Sequence, residues 1–396
     1  MNLGKRKQPN SRDFSWSFWP LVPIYPYGKR RTIRREIVLD RVWTFEQVQG
    51  IFYVVVPIRM TVVRLDEGGL LVYSPVAPTG ECLSLLQELI DRYGEVKYII
   101  LSTISGVEHK VFVAPFARKC PQARVFVAPD QWSYPIDLPL SWLGFPKERT
   151  FVLPENSKDT PFGDQFDYAV LKTLDLKTGY FTEVAFFDRT SKSLLVTDSI
   201  VSIPAEPPSI FDLDPTPLLF HAKDGALETV VDTPQNRRKG WQRISMFAMY
   251  FQPTVLSVPR WKKVFADAFK APDKSKKNYF GLYPFRWRED WQQCFNALSN
   301  NGRLFVAPIL QTLILNRAPE DVLQWADAIA IWDFQLIIPC HFTAPIRAKS
   351  EEFRQAFTFL ESSNNTYPLP KNEFQILQDV DKILLKSRLV PPPRNQ

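Results

Sequence analysis

Short apolar runs that end in polar loops are the feature that most constrains the fold of this chain. Such runs lie at residues 96–101, 194–196 and 334–338, and each is followed by polar residues or a turn. They are too short to cross a bilayer, which needs roughly 20 apolar residues in a helix, and they suit buried strands. Residues 82–93 instead carry leucine and isoleucine at helical spacing before Gly94, which favours a helix end. This alternation predicts an α/β fold with its chemistry in the loops after the strands.

Composition excludes several functional classes. The chain has 396 residues, 45% of them hydrophobic, which is enough to bury a large core. Its net charge of +7 is modest for this length and predicts no nucleic-acid partner. The four cysteines lie far apart in the sequence, so we expect a reduced compartment and no disulfide framework.

Pattern and composition divide the chain into five segments. We predict an aromatic and basic N-terminal arm (1–45), the first half of the main domain (46–203), an insertion (204–300), the second half of the main domain (301–388) and a disordered tail (389–396). No apolar segment follows the first lysines and arginines, so we expect no secretory signal and a cytoplasmic protein.

The N-terminal arm has two interpretations. Its aromatic and basic residues are Trp16, Phe18, Trp19, Tyr25, Tyr27, Lys29, Arg30, Arg31, Arg34 and Arg35. Aromatic rings beside a cationic run are typical of peripheral contact with an anionic membrane. The alternative is an extended arm whose aromatic residues pack on the domain behind it.

Histidine is scarce, which makes each position informative. The chain has only His109, His221 and His341, and the first and last follow short apolar strands. Imidazole and carboxylate groups that meet at strand ends suit zinc or iron. His221 lies in an apolar stretch, and we interpret it as structural.

These residues resemble the motifs of the metallo-β-lactamase superfamily, whose first motif is T-H-x-H-x-D-H after a strand. The matching run, 103–109, has Ile104 and Gly106 at the first two histidine positions, Glu108 at the aspartate and His109 at the last histidine. The next histidine, in a proline-glycine motif, corresponds to Tyr180.

The two later motifs of the superfamily are retained. A strand followed by a metal-bridging aspartate resembles 194–198, with Asp198, and the closing histidine resembles His341 after 338–340. The resemblance therefore implies an αββα sandwich in which one metal position is lost. The ligands it implies for the other metal are Glu108, His109, Asp198 and His341.

The candidate catalytic residues are Glu108, Lys110 and Tyr180, and two alternatives remain open for the site. In one, it holds a single transition metal, zinc or iron, with Glu108 as a ligand or as the base that activates water. In the other, it holds no cofactor, Lys110 neutralises Glu108 by an ion pair, and Asp198 is a helix N-cap.

The chain also resembles an uncharacterised family of cyanobacteria and plastids, a domain of unknown function. The segments that carry this resemblance include 68–75, 108–110, 131–133, 138–144, 195–198 and 238–243. It implies a setting near photosynthetic membranes, with a peripheral position at the thylakoid, but no reaction.

Two functional hypotheses follow. The first is a single-metal hydrolase of unknown substrate, and the second is a non-catalytic binding or assembly protein that retains the fold. For the second, the ligand is an unknown small molecule, a lipid or a pigment, bound by aromatic residues. The tryptophans that suit such a pocket are Trp132, Trp142, Trp241, Trp261, Trp287 and Trp291. The basic segment 237–243 suits phosphate or a solvated face.

Overall fold

The computed structural model describes residues 10–16, 24–104, 108–133, 137–361 and 369–393. The strands of this part of the chain are β1 (Ile24–Tyr25), β2 (Ile33–Val38), β3 (Val42–Ile51), β4 (Val54–Arg64), β5 (Leu70–Tyr73), β6 (Val96–Leu101), β7 (Arg124–Val127), β8 (Thr150–Val152), β9 (Phe166–Val170), β10 (Leu174–Asp175), β11 (Tyr180–Phe181), β12 (Val184–Asp188), β13 (Ser193–Val196), β14 (Leu256–Ser257), β15 (Arg286–Trp287), β16 (Leu336–Pro339) and β17 (Ile346–Arg347).

Helices alternate with these strands and fill the predicted insertion. They are α1 (Gly80–Tyr93), α2 (Lys110–Lys119), α3 (Thr216–Ala222), α4 (Pro234–Tyr250), α5 (Trp261–Lys270), α6 (Trp291–Ser299), α7 (Pro308–Leu313), α8 (Pro319–Ala330), α9 (Ser350–Gln355) and α10 (Gln375–Lys386). No described helix is both long enough and apolar enough to cross a membrane.

Two sheets form the centre of the molecule. The first contains the eight strands β1 to β8, of which β5 to β8 are parallel neighbours, and β1 and β2 both pair with β3. The second has the order β17-β16-β13-β12-β9, and only its β13 and β16 are parallel. Tyr73 and Phe126 of the first sheet share one buried cluster with Phe186 and Ile338 of the second. The two sheets therefore pack face to face.

Each sheet is covered by helices on its outer side. The apolar face of α1, including Leu86, packs with Phe112 of α2 and with Ile99 of the first sheet. On the outer side of the second sheet, Leu194 lies in one large cluster with Trp325 of α8 and with helices of residues 204–300. This arrangement confirms the predicted αββα sandwich.

The predicted arm ends earlier than residue 45. Residues 33–38 form β2 and pair with β3, so Arg34 and Arg35 of the cationic segment lie in an edge strand of the first sheet. The charged residues of this segment did not predict a strand. In the structure, two of its cations pair with carboxylates of α1. Arg31 lies 3.0 Å from Glu81, and Arg34 lies 2.8 Å from Glu88.

The described aromatic residues of the arm lie against the domain. The Trp16 ring packs edge-on to Phe112 at 5.5 Å, and Tyr25 packs edge-on to Tyr53 at 5.1 Å. Phe18 and Trp19 lie outside the described residues, as does the end of the predicted tail, whereas Val390 is buried.

Candidate metal centre

Four candidate residues come together at one end of the sandwich. Glu108 and His109 lie between β6 and α2, Asp198 follows β13, and His341 follows β16. Because β13 and β16 are parallel neighbours, with Val196 opposite Pro339, their ends deliver two of these side chains side by side. The first sheet supplies the other two.

Three of the four residues place ligand atoms close enough to share one ion, and the fourth, Asp198, contacts His341. Nε2 of His341 is 3.0 Å from Oε2 of Glu108 and 3.1 Å from Oδ1 of Asp198. Glu108, His109 and His341 each offer one ligand atom within 4.8 Å of the others. Two imidazoles and two carboxylates form a donor set that zinc and iron accept.

Main-chain carbonyls orient both histidines. Nδ1 of His109 is 3.0 Å from the Pro75 carbonyl oxygen, and Nδ1 of His341 is 2.9 Å from that of Pro57. A carbonyl oxygen only accepts, so each Nδ1 carries the proton and each Nε2 is directed to the cluster. This is the usual support of a metal-binding histidine.

The two imidazoles differ in charge environment. Burial lowers the pKa of His109, and its Nε2 is buried without a hydrogen-bond partner among the described residues. Burial alone would also lower the pKa of His341, but the charge of Glu108 and the hydrogen bond with Asp198 raise it well above its usual value. Burial alone would raise the pKa of Glu108, whereas the charge of His341 lowers it.

A buried carboxylate that sequence reasoning missed shapes the Asp198 loop. Glu183 accepts hydrogen bonds from the backbone N–H groups of Thr197, Asp198 and Ser199 at 2.7 to 3.1 Å, and from the Ser199 hydroxyl at 2.9 Å. Burial and the charge of Asp198 raise the pKa of Glu183 to about 7. Its only sequence signal was a charged residue directly before the apolar strand β12.

Lys110 and Tyr180 lie beside Trp132 instead of within the cluster. Nζ of Lys110 donates to the Trp132 carbonyl oxygen at 2.6 Å, and among described residues no ion pair joins Lys110 to Glu108. Tyr180 is exposed, and its ring meets that of Trp132 edge-on at 6.0 Å. Glu108 is thus balanced by His341, and the ion pair expected for a metal-free site is not formed.

At the first two histidine positions of the expected motif, the chain has residues whose side chains are not metal ligands. Ile104 is buried, and Gly106 lies outside the described residues. After Asp198 the next helical turn begins only at Ser209, so the Asp198 carboxylate is not an N-cap.

The other singled-out groups lie away from this cluster. His221 is buried in α3 between aromatic rings, as expected for a structural residue. Of the basic segment 237–243, Arg237 pairs with Asp232, Arg238 with Glu206, and Lys239 and Arg243 with Asp224. These pairs neutralise the cations that were considered for phosphate binding.

The two-sheet sandwich, with histidine and carboxylate side chains at its strand ends, has a metallo-β-lactamase-like fold. The chain belongs to the family defined by the domain of unknown function DUF4336, whose model matches residues 39–359. The match confirms the expected resemblance to a domain of unknown function. No curated protein matches.

Solved structures with related folds are remote in sequence. The flavodiiron core of Flv1 from Synechocystis sp. PCC6803, a metal-soaked structure, has 11% identity and a TM-score of 0.36, with 84% of this chain and 61% of that chain covered. A flavo di-iron protein mutant from Thermotoga maritima has 8% identity and a TM-score of 0.41, with 83% and 62% covered. A metallo-β-lactamase from Pontibacter korlensis has 10% identity and a TM-score of 0.37, with 84% and 100% covered.

Proposed function

We propose that this protein holds one transition metal ion, zinc or iron, between Glu108, His109, Asp198 and His341, and that it uses this centre as a hydrolase. The substrate class that fits is a small acyl compound such as an ester or thioester, which rests on analogy with the superfamily. The lost ligand positions at Ile104 and Tyr180 limit the site to a single ion.

The observation that carries the proposal is the Nε2 atom of His109. It is buried, it lies in the cluster, and no described residue gives it a hydrogen bond. A buried polar atom without a partner costs about 1–3 kcal/mol, and a cation held with Glu108 and His341 would remove this cost at His109. The Pro75 carbonyl fixes the proton on Nδ1, which leaves the lone pair of Nε2 available to a cation.

The carboxylates supply charge and a base. A bound ion of this kind lowers the pKa of water toward about 7. The Glu108 side chain is 28% exposed, so it reaches both the cluster and solvent, and it either binds the ion or takes a proton from water. Asp198, whose loop is fixed by Glu183, contributes the second negative charge.

The two residues beside Trp132, Lys110 and Tyr180, suit substrate binding under this proposal. The Lys110 ammonium, held at the Trp132 carbonyl, offers a positive charge, and Tyr180 presents an exposed ring and hydroxyl beside Trp132. Burial lowers the pKa of Lys110 to about 8. Under this proposal they orient an acyl substrate and take no part in holding the ion.

A specific observation also favours the second function, a binding protein without metal. The contacts of His341 with Glu108 and Asp198 would bring two carboxylates onto one imidazolium, which balances one of their two negative charges without a metal. In that state the cleft lacks a group that activates water, and it serves only to bind a ligand or a partner.

Metal content separates the two functions. We expect the full chain, purified without added metal and then exposed to zinc or ferrous iron, to hold close to one ion by elemental analysis, and His109→Ala to hold less than about a tenth of an equivalent. His221→Gln is the matched control, because this histidine lies in α3, and it should bind as the wild type does. Equal binding by the His109→Ala variant, or no binding by the wild type, contradicts the proposal.

Hydrolysis of a generic ester tests the catalytic part. With p-nitrophenyl acetate as the probe, Glu108→Gln should retain folding and reduce the metal-dependent rate by about 100-fold or more. If the metal-loaded wild type shows no rate above that of His109→Ala across ester and thioester probes, the protein binds metal without being a hydrolase.

A further inference from the structure

Helix α5 exposes a ridge of aromatic side chains. Trp261, Phe265 and Phe269 are 59%, 52% and 79% exposed. Steps of four residues keep them on one face of the helix, while Val264 and Ala268 on the adjacent strip are buried. The apolar face of α5 is therefore wider than the part of that face that packs against the rest of the protein.

The apolar surface continues beyond the helix. Trp261 lines a cavity of about 640 Å³ together with Phe52 and Phe251, which are themselves exposed. Phe280, 65% exposed, follows Tyr279 of the same cavity. We call these six residues, Phe52, Phe251, Trp261, Phe265, Phe269 and Phe280, the aromatic patch. Water-soluble monomers rarely expose so many large apolar side chains together without a binding partner.

Basic side chains accompany the aromatic patch. Residues 260–277 contain seven cations, all exposed, against two acidic residues, Asp267 and Asp273. The cations are Arg260, Lys262, Lys263, Lys270, Lys274, Lys276 and Lys277. Only Lys263 has a carboxylate partner within 4 Å among the described residues, Asp267 at 3.1 Å. By contrast, several cations of segments 31–35 and 237–243 pair with carboxylates, so this excess of positive charge is a local property.

We propose that α5 and the aromatic patch dock the protein on the surface of an anionic lipid bilayer. An interfacial helix needs aromatic side chains on one face and lysines or arginines beside them, which is the composition of α5. Long lysine side chains reach from such a helix to lipid phosphates, and the negative surface potential attracts them. The attachment is peripheral, and it is independent of the metal-centre proposal.

Vesicle flotation tests this with the full chain. The probes are vesicles of phosphatidylcholine alone and of phosphatidylcholine with phosphatidylglycerol. We expect binding to the anionic vesicles that weakens as salt shortens the Debye length below about 10 Å. The triple substitution Trp261→Ser, Phe265→Ser and Phe269→Ser should lower the vesicle partition coefficient by about tenfold or more. Lys262→Gln with Lys270→Gln should lower it on anionic vesicles only.

Control variants show whether another part of the chain binds the vesicles. Trp142→Ser removes a side chain that is 77% exposed elsewhere on the surface, and it should bind as the wild type does. Phe18→Ser with Trp19→Ser tests the N-terminal arm, and circular dichroism checks that each variant folds. Wild-type binding by the α5 triple variant, or loss of binding only in the arm variant, overturns the proposal. The proposal is also wrong if the wild type does not bind vesicles but self-associates in sedimentation through the aromatic patch. The patch is then an interface between copies of the chain.

Discussion

His221 is one buried side chain whose protonation contributes to the response of this protein to acid. It is fully buried, and the rings of Phe220 and Phe285 lie 5.3 Å from its own. Burial, reinforced by the Arg243 cation, lowers its pKa to about 3. An imidazole in such a place is neutral in the folded protein at any pH near neutrality.

This gives a prediction with a definite sign. In the unfolded chain His221 titrates at about 6.5, so below that pH the unfolded state binds a proton that the folded state refuses until about 3. Its contribution is therefore complete above pH 6.5 and is lost as the pH falls, by about 1.4 kcal/mol per pH unit. When the pH falls from 7 to 5, the wild type should lose about 2 kcal/mol more free energy of unfolding than His221→Gln loses. Urea titrations of both proteins, with chelator present, measure this difference. Parallel pH curves for the two proteins would exclude this origin.

At the residue scale, the sequence predicted the candidate site only where the type of residue itself indicated a role in the site. His109 and His341 stood out because histidine is scarce and both follow apolar strands, and the motif resemblance added Glu108 and Asp198. Glu183 was not predictable, because its role depends on backbone N–H groups of residues 197–199, which the fold alone brings to it.

At the scale of elements, the sequence predicted the strands and helices whose apolar residues follow a clear periodic spacing. The helix before Gly94 is α1, and Gly94 adopts a φ of 98°, which favours glycine. The runs 96–101 and 194–196 lie in β6 and β13. The helices of residues 204–300 were not predicted. Helix α4 buries polar residues such as Gln242 and Arg243, which form long-range hydrogen bonds, so its buried face lacks the apolar spacing that indicates a helix.

Gly240 makes the packing of α3 against α4 testable. A Cβ atom at this position would lie 1.8 Å from the carbonyl oxygen of Leu218, so Gly240→Ala forces the two helices apart. We expect a loss of free energy of unfolding of about 1–3 kcal/mol or more. Gly225→Ala is the matched control, since no atom lies within 4 Å of its added Cβ, and it should stay within about 0.5 kcal/mol of the wild type. Similar denaturant midpoints for both variants would contradict the close packing.

At the scale of the whole molecule, a buried cation joins the two sheets beside His341 of the proposed metal centre. Arg59 of β4 donates to the carbonyl oxygens of Pro339 and Phe342, which flank His341, the latter at 2.7 Å. Its Nε lies 2.9 Å from Oε1 of Glu46 in β3, and Arg35 pairs with the same carboxylate. Burial alone would raise the pKa of Glu46, but these two cations lower it. The first sheet thus positions the histidine that the second sheet supplies.

Replacing this cation should affect both stability and the metal centre. Arg59→Met leaves Glu46 buried with only Arg35 and leaves two carbonyl oxygens without their donor, so we expect a loss of about 3–5 kcal/mol in free energy of unfolding. Because the loop around His341 loses its support, metal affinity should fall by about 10–100-fold while one ion still binds at saturation. Arg64→Met is the control on the same strand, where the side chain lies over the Tyr93 ring at 5.2 Å, and it should cost under about 1 kcal/mol. Urea unfolding and metal titration of both variants measure the two effects. If Arg59→Met matches Arg64→Met in both, the cation does not connect the sheets to the site.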